Sequence, residues 1–342
     1  MTYTVKLEPM GVEMAVEEHE TVLQAAFRQG ITLMHGCKEG QCSACKSVLL
    51  DGEAEHGDFS TFALSESEQA DGKVLLCRLY PSSDLEIELL NFDEETLANW
   101  IPAKKLLGRI AAVRDLTHDI REFDIALLEP ISFYAGQYAE LTVPGSGITR
   151  SFSMANAPGT TQVLSFIIKT YPQGVFSGLL TEHLQLGDEI QVEGPFGTSY
   201  RNQNHRGPTV LVGGGSGMAP LWSILNDLAR SGAQQPVRLF YGARTRSDLF
   251  YLDEIAALGK TLVDFAFVPA LSAPAPEDHW DGATGFIHEV VAQHYAGQGR
   301  NAQIEAYACG PPPMVEAVLP VFQQMGIDAD NTHLDKFTPA KA

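Results

Sequence analysis

Cys37, Cys42 and Cys45 stand as C-x4-C-x2-C, and Cys77 follows after 31 intervening residues. Four thiolates at this spacing can hold two irons, two ligands each, as in a [2Fe–2S] cluster. Such a loop must wrap a small anionic group closely. Gly36, Gly40, Ser43 and Ala44 suit that, because small residues let backbone N–H groups approach the sulfur atoms and tune the potential. A structural zinc site is the weaker reading, since only Cys42 and Cys45 form a C-x2-C knuckle. Rieske ligation needs histidines at short range downstream of its cysteines, and His35 precedes the group and reads as a loop residue.

Two further stretches carry binding chemistry. In Arg150-Ser151-Phe152-Ser153 an arginine fork can take a pyrophosphate, an aromatic can lie on a flat ring, and a hydroxyl can bond a ring heteroatom. Four such residues alone are a weak signal, and a solvated arginine at a strand end is the bland alternative. Downstream, Gly174, Val175, Phe176 and Ser177 open an expected helix over about 176–183, whose start favours phosphate. Then Val210-Leu211-Val212 runs into Gly213, Gly214, Gly215, Ser216 and Gly217 before Met218-Ala219-Pro220. A strand, a glycine-rich turn and a helix make a dinucleotide pyrophosphate site. The turn is neither G-x-G-x-x-G nor a P-loop, and Ser216 lies outside a G-x-S-x-G elbow. Cys309, Gly310 and Pro311 follow the last apolar strand; a free cysteine there is also a common buried packing residue.

The elements that must position these residues fall into three segments. Residues 1–97 read as strands near 3–7 and 12–16, a helix over 22–29 with a Thr21/Gln24 capping box, the cysteine loop, and strands near 46–50 and 85–89. The charged, proline-bearing stretch over 92–104 supplies the linker, placed at 98–104. Residues 105–203 show short strands with Gly/Pro turns, which suggests an antiparallel β-barrel. From 207 to 342, apolar strands alternate with helices, which argues an α/β doubly wound parallel sheet.

The stretch HGCKEGQCSACKSVLLDGE, with LLCR downstream, resembles the plant-type ferredoxin family, which implies a β-grasp fold and a [2Fe–2S] cluster on Cys37, Cys42, Cys45 and Cys77. The order RSFSMAN, GVFS, GPFG, GGGSGMAP and CGPPPM resembles the ferredoxin–NADP reductase family over about 105–330. That resemblance implies FAD on Arg150–Ser153 and on Gly174–Ser177, with Ser153 and Cys309 as the catalytic pair beside the hydride path. It further implies nicotinamide against Cys309–Pro311, and Phe337 as a terminal aromatic over the flavin or else a packed tail residue. NADPH-using members often carry Ser-Arg after the third strand; Leu271-Ser272-Ala273 lacks the arginine, which favours NADH, while Arg244 and Arg246 keep NADPH open. Hydride carries two electrons and the cluster takes one, so a flavin that handles both must stand between them. The full layout resembles the reductase components of bacterial multicomponent oxygenases. Its N-terminal details resemble the soluble di-iron monooxygenase reductases of propane and phenol systems, which implies a hydroxylase partner. Reductases of Rieske dioxygenases share the layout. A stand-alone NADH oxidase and a redox-sensing module are the other classes.

Composition limits the partners. The net charge is −20, and residues 1–97 hold 6 Lys/Arg against 19 Asp/Glu. Nucleic acid and anionic membrane are poor partners for such a chain, whereas an acidic N-terminal third suits docking to a basic surface or, equally, solubility alone. No apolar run of about 18 residues predicts a membrane span, and the start lacks a basic region followed by an apolar one. With four cysteines at metal spacing, the expectation is a cytoplasmic protein.

Overall fold

The computed structural model describes residues 1–90, 92, 100–171, 174–180 and 184–337. The chain packs as two compact units, Met1–Pro102 with Phe196–Thr198, and Ala103–Pro195 with Ser199–Ala342.

In the first unit, β1 (Thr2–Glu8), β2 (Val12–Glu17), β3 (Lys46–Asp51), β5 (Lys73–Leu75) and β7 (Leu85–Leu89) form one mixed sheet in the order β2-β1-β7-β3-β5. A two-stranded ribbon joins β4 (Ala54–His56) to β6 (Leu79–Pro81). Alternation along β1 buries Val5 and Leu7, and α1 (Val22–Arg28) adds Val22, Leu23, Ala25 and Ala26 to the same core. The expected capping box is present: the Gln24 N–H donates to Thr21 Oγ1 at 3.2 Å, and the Thr21 N–H donates to Gln24 Oε1 at 2.8 Å. A second short helix, α2 (Glu66–Ala70), lies between the ribbon strands in sequence. The result is a β-grasp sheet. Residues 93–99, where part of the expected linker falls, lie outside the described residues.

In the second unit, β8 (Lys104–Asp115), β9 (Ile120–Ile131), β10 (Tyr138–Val143), β11 (Ile148–Ser153), β12 (Thr161–Lys169) and β13 (Glu189–Phe196) run in the order β11-β10-β13-β8-β9-β12. A bridge between Met154 and Phe166 joins the two edges, curling the antiparallel sheet into a barrel. The expected helix over 176–183 is helical at α3 (Val175–Gly178), while 181–183 lie outside the described residues.

The remaining strands are β14 (Thr209–Gly214), β15 (Val237–Ala243), β16 (Phe265–Leu271), β17 (Ala283–Thr284), β18 (Glu305–Gly310) and β19 (Thr332–Lys336). All pair in parallel, in the order β17-β16-β15-β14-β18-β19. Helices α4 (Met218–Arg230), α5 (Leu252–Gly259), α6 (Ile287–Tyr295) and α7 (Pro312–Met325) make the crossovers. Strand order reverses between β14 and β18, and the crevice outside the carboxyl ends of such strands is where open α/β sheets bind ligands. Barrel residues Ile120, Ala135, Ala155 and Ile167 share a core with Leu221 and Ile224 of α4. That shared core makes barrel and doubly wound sheet one unit.

Candidate functional site

In the first unit the cysteine loop is shaped around its own sulfur atoms. The N–H groups of Glu39 and Gln41 donate to Cys37 Sγ at 3.4 and 3.2 Å, and the Cys37 N–H donates to Cys42 Sγ at 3.2 Å. A Cβ added to Gly36 would stand 2.6 Å from Cys42 Sγ, so the tight approach requires glycine there. The thiols fall into two facing pairs, Cys37 with Cys42 and Cys45 with Cys77. The Cys42 thiol, helped by the Glu39 and Gln41 N–H groups, holds Cys37 down at about 6. Among the described residues no three His, Cys, Asp or Glu side chains surround a single ion. Two pairs suit two irons with two thiolates each, and the donated N–H groups suit an anionic cluster.

In the second unit the glycine-rich turn, β18 and β19 converge. Gly213 pairs with Cys309 across β14–β18, and Cys309 pairs with Asp335 across β18–β19. From the barrel, Ser153 at the end of β11 donates through Oγ to Asp335 Oδ2 at 3.1 Å. Ser153 is 5% and Cys309 2% exposed, so this cluster is largely shielded from water. Burial, and then the Asp335 carboxylate, push the Cys309 thiol well up, so it stays neutral. Burial raises Asp335 to about 6 although Ser153 opposes it. Gly217 passes so close to β18 that a Cβ would lie 2.0 Å from the Cys309 carbonyl oxygen. Tyr241 fixes the turn by donating from its hydroxyl to the Gly215 carbonyl at 2.9 Å.

A cavity of about 530 Å³ opens beside this cluster, walled by Gly214 and Gly215 on one side and by Pro311 and Met314 on another. Its barrel side carries Asp119 and Lys169. That volume and a floor of glycine backbone suit a dinucleotide.

The other expected residues are distributed around the junction. Among the described residues, the hydrogen bond made by the half-buried Arg150 guanidinium goes to the Thr149 carbonyl at 2.8 Å, and no carboxylate pairs with it. It is a cation left open to an anionic ligand. Phe152 packs on Phe176 with centroids 5.2 Å apart, and Ser151 and Val175 are exposed. Buried Ser177 accepts from the Tyr171 N–H at 3.3 Å. Phe337 donates its N–H to the Gly310 carbonyl at 2.9 Å, which sets it at the carboxyl end of β18. An arginine with no carboxylate partner among the described residues, a tilted aromatic pair and the Ser153 hydroxyl fit a flavin dinucleotide.

Three family models match in the order of the folded segments. The 2Fe-2S iron-sulfur cluster binding domain matches residues 5–82, the oxidoreductase FAD-binding domain 108–200, and the oxidoreductase NAD-binding domain 211–319. The propane 2-monooxygenase reductase component of Gordonia sp. (strain TY-5) is 46% identical, covering 98% of this chain and 97% of the relative. The chain belongs to the reductase components of multicomponent monooxygenases. The phenol 2-monooxygenase reductase component of Pseudomonas sp. (strain CF600) is 34% identical over 99% of this reductase and 96% of its own length. Among solved structures, an Amycolatopsis cytochrome P450 reductase superposes with a TM-score of 0.83 at 33% identity, covering 99% of this reductase and 100% of that chain. The ferredoxin reductase of a carbazole 1,9a-dioxygenase superposes at 0.78 with 30% identity and 99% of both chains. This reductase is therefore an oxidoreductase with FAD, NAD and [2Fe–2S] domains.

Asp335 was not among the residues that the sequence pointed to. It lies in a stretch read as a tail, and that stretch instead forms the edge strand β19. The signal available in the sequence is the position of His333-Leu334-Asp335 just before Phe337.

Proposed function

We propose that this reductase draws hydride from NADH at the Gly214–Pro311 cavity and delivers electrons singly to the hydroxylase of a di-iron monooxygenase of the propane type. Bound FAD supplies the two-electron to one-electron conversion that NADH and the cluster require of each other. The observation that carries the reading is the meeting of Ser153, Asp335 and Cys309 at the switch point of the sheet. Each has a distinct task. Ser153 offers its hydroxyl, held by Asp335, toward the flavin ring. Cys309, neutral and buried, gives the nicotinamide a soft surface without a competing charge. The Gly213–Gly217 turn lends backbone N–H groups to the pyrophosphate. Arg150 holds the flavin's pyrophosphate through its guanidinium fork, and Phe337 lies over the flavin ring. Cys37, Cys42, Cys45 and Cys77 hold the two irons.

The acidic surface of residues 1–97 is the docking face for a basic patch on the hydroxylase, and both proteins work in the cytoplasm. Electrostatic docking of this kind weakens with salt. The test is NADH consumption and substrate oxidation with the purified hydroxylase of a propane-type system, from low to high ionic strength. Tight coupling and a steep loss with salt are expected. Fast NADH oxidation without any partner would favour the stand-alone oxidase. A Rieske acceptor is the second reading, because the carbazole dioxygenase reductase shares the layout; preferential reduction of a Rieske oxygenase would select it.

A further inference from the structure

The cavity wall contains a charge cluster that hydride transfer does not require. Arg244 directly follows β15, the second strand of the doubly wound order. That is where an adenosine ribose meets such a sheet, and where an arginine accommodates a 2′-phosphate. Here the arginine is already occupied. Its Nε and Nη2 donate to the two oxygens of Asp248 at 3.3 and 3.2 Å, although the side chain is 61% exposed. Asp119, from the barrel, faces the same guanidinium at 3.9 Å and is itself paired with Lys169 at 2.9 Å. His118 lies 3.6 Å from Asp119 and 3.7 Å from Asp248. Lys169 and Arg244, the lysine and arginine of the cavity wall, thus each face a carboxylate. Neither Ser272 after the third strand nor Arg246 after the second offers a substitute. Ser272 turns its hydroxyl to the Ala243 carbonyl at 3.3 Å, and Arg246 donates to the Asp278 carbonyl at 3.1 Å.

We infer that Asp119 and Asp248 select NADH over NADPH, by clamping Arg244 and presenting two negative charges where a 2′-phosphate would lie. The inference rests on reading this cavity as the dinucleotide site. A ribose hydroxyl is neutral and can donate to a carboxylate. A 2′-phosphate would have to pull Arg244 away and leave the poorly solvated Asp248 carboxylate without its cation, beside an Asp119 that keeps only Lys169. Both carboxylates stay ionised. Burial pushes each upward, but Arg244 and the Thr245 N–H hold Asp248 below the usual range, and Lys169 with Thr117 does the same for Asp119.

The test compares kcat/KM for NADH and NADPH in the full holo-reductase, with ferricyanide as acceptor. The wild type favours NADH by about a hundredfold or more. Asp248→Asn keeps an acceptor oxygen for the Thr245 N–H while releasing Arg244, and raises the NADPH-to-NADH ratio about tenfold. Adding Arg244→Ala to Asp248→Asn removes that rise. Asp119→Asn, which leaves the Thr245 turn untouched, raises the ratio about threefold and serves if the first variant misfolds. An unchanged ratio in folded, flavin-loaded Asp248→Asn and Asp119→Asn overturns the inference while leaving the NADH site standing. Failure of both nucleotides to reduce the wild-type flavin overturns the site reading and this inference with it.

Discussion

Ser153 Oγ donates to Asp335 Oδ2 at 3.1 Å across 182 residues of chain. The bond ties the end of a barrel strand to the edge of the doubly wound sheet, at the residue paired with Cys309. Replacing Asp335 by Ala leaves the Ser153 hydroxyl without that acceptor. Stopped-flow flavin reduction by NADH is expected to slow by about tenfold to a hundredfold, as for loss of one positioned polar group. The iron–sulfur absorbance stays at its wild-type level. An unchanged rate would remove Asp335 from the hydride site.

The same carboxyl leaves a mark on stability. Burial raises Asp335 from the usual 3.8 to about 6. The folded state therefore keeps a proton that the unfolded state loses between about 4 and about 6. This contribution is fully present below about pH 4 and is lost as pH rises through about 6, an effect on the order of 2 kcal/mol. Chemical denaturation of wild type and Asp335→Asn across pH 4 to 7 should show wild type losing ground against the variant as pH rises. Parallel curves would contradict the raised carboxyl.

Two glycines in one turn make a contrast. A Cβ on Gly217 would stand 2.0 Å from the Cys309 carbonyl oxygen and 2.8 Å from the Gly310 Cα. Gly217→Ala must push β18 and the turn apart, at about 3 kcal/mol, with a raised KM for NADH. Gly215 has φ +57° and open space around it. Gly215→Ala should cost only about 1 kcal/mol, from backbone strain alone. Thermal melts and NADH titrations of the two variants check the order.

Arg150 has no carboxylate partner among the described residues, so removing it should leave folding intact. Arg150→Ala is expected to weaken FAD binding about tenfold to a hundredfold, through loss of the guanidinium fork. Fluorescence titration of the deflavinated variant, with circular dichroism as the fold check, measures it. Wild-type affinity would place the flavin pyrophosphate elsewhere.

The parts legible in the sequence were those whose chemistry is local. Cys37, Cys42 and Cys45 point to a cluster by spacing within nine residues, and Gly213–Gly217 point to a dinucleotide turn by lying between an apolar run and a helix. The Thr21/Gln24 capping box is equally local and stands as expected. Asp335 was not legible, because its meaning depends on parallel pairing with β18 and on a barrel strand 182 residues away. The occupied state of Arg244 was hidden for a related reason. Asp248 is only four residues on, but Asp119 reaches it from another sheet. Sequence could show a cation after the second strand and could not show what holds it.

The central claim is a connected path from NADH through flavin to the cluster on Cys37, Cys42, Cys45 and Cys77. Its most direct test is the visible spectrum of the holo-protein under anaerobic NADH, recorded beside Cys77→Ser. In the wild type the flavin and iron–sulfur bands should both bleach; in Cys77→Ser the flavin should bleach while the iron–sulfur band is missing from the start. A folded, cofactor-supplied wild type that shows no flavin band, or whose cluster stays oxidised after its flavin is reduced, would contradict the account.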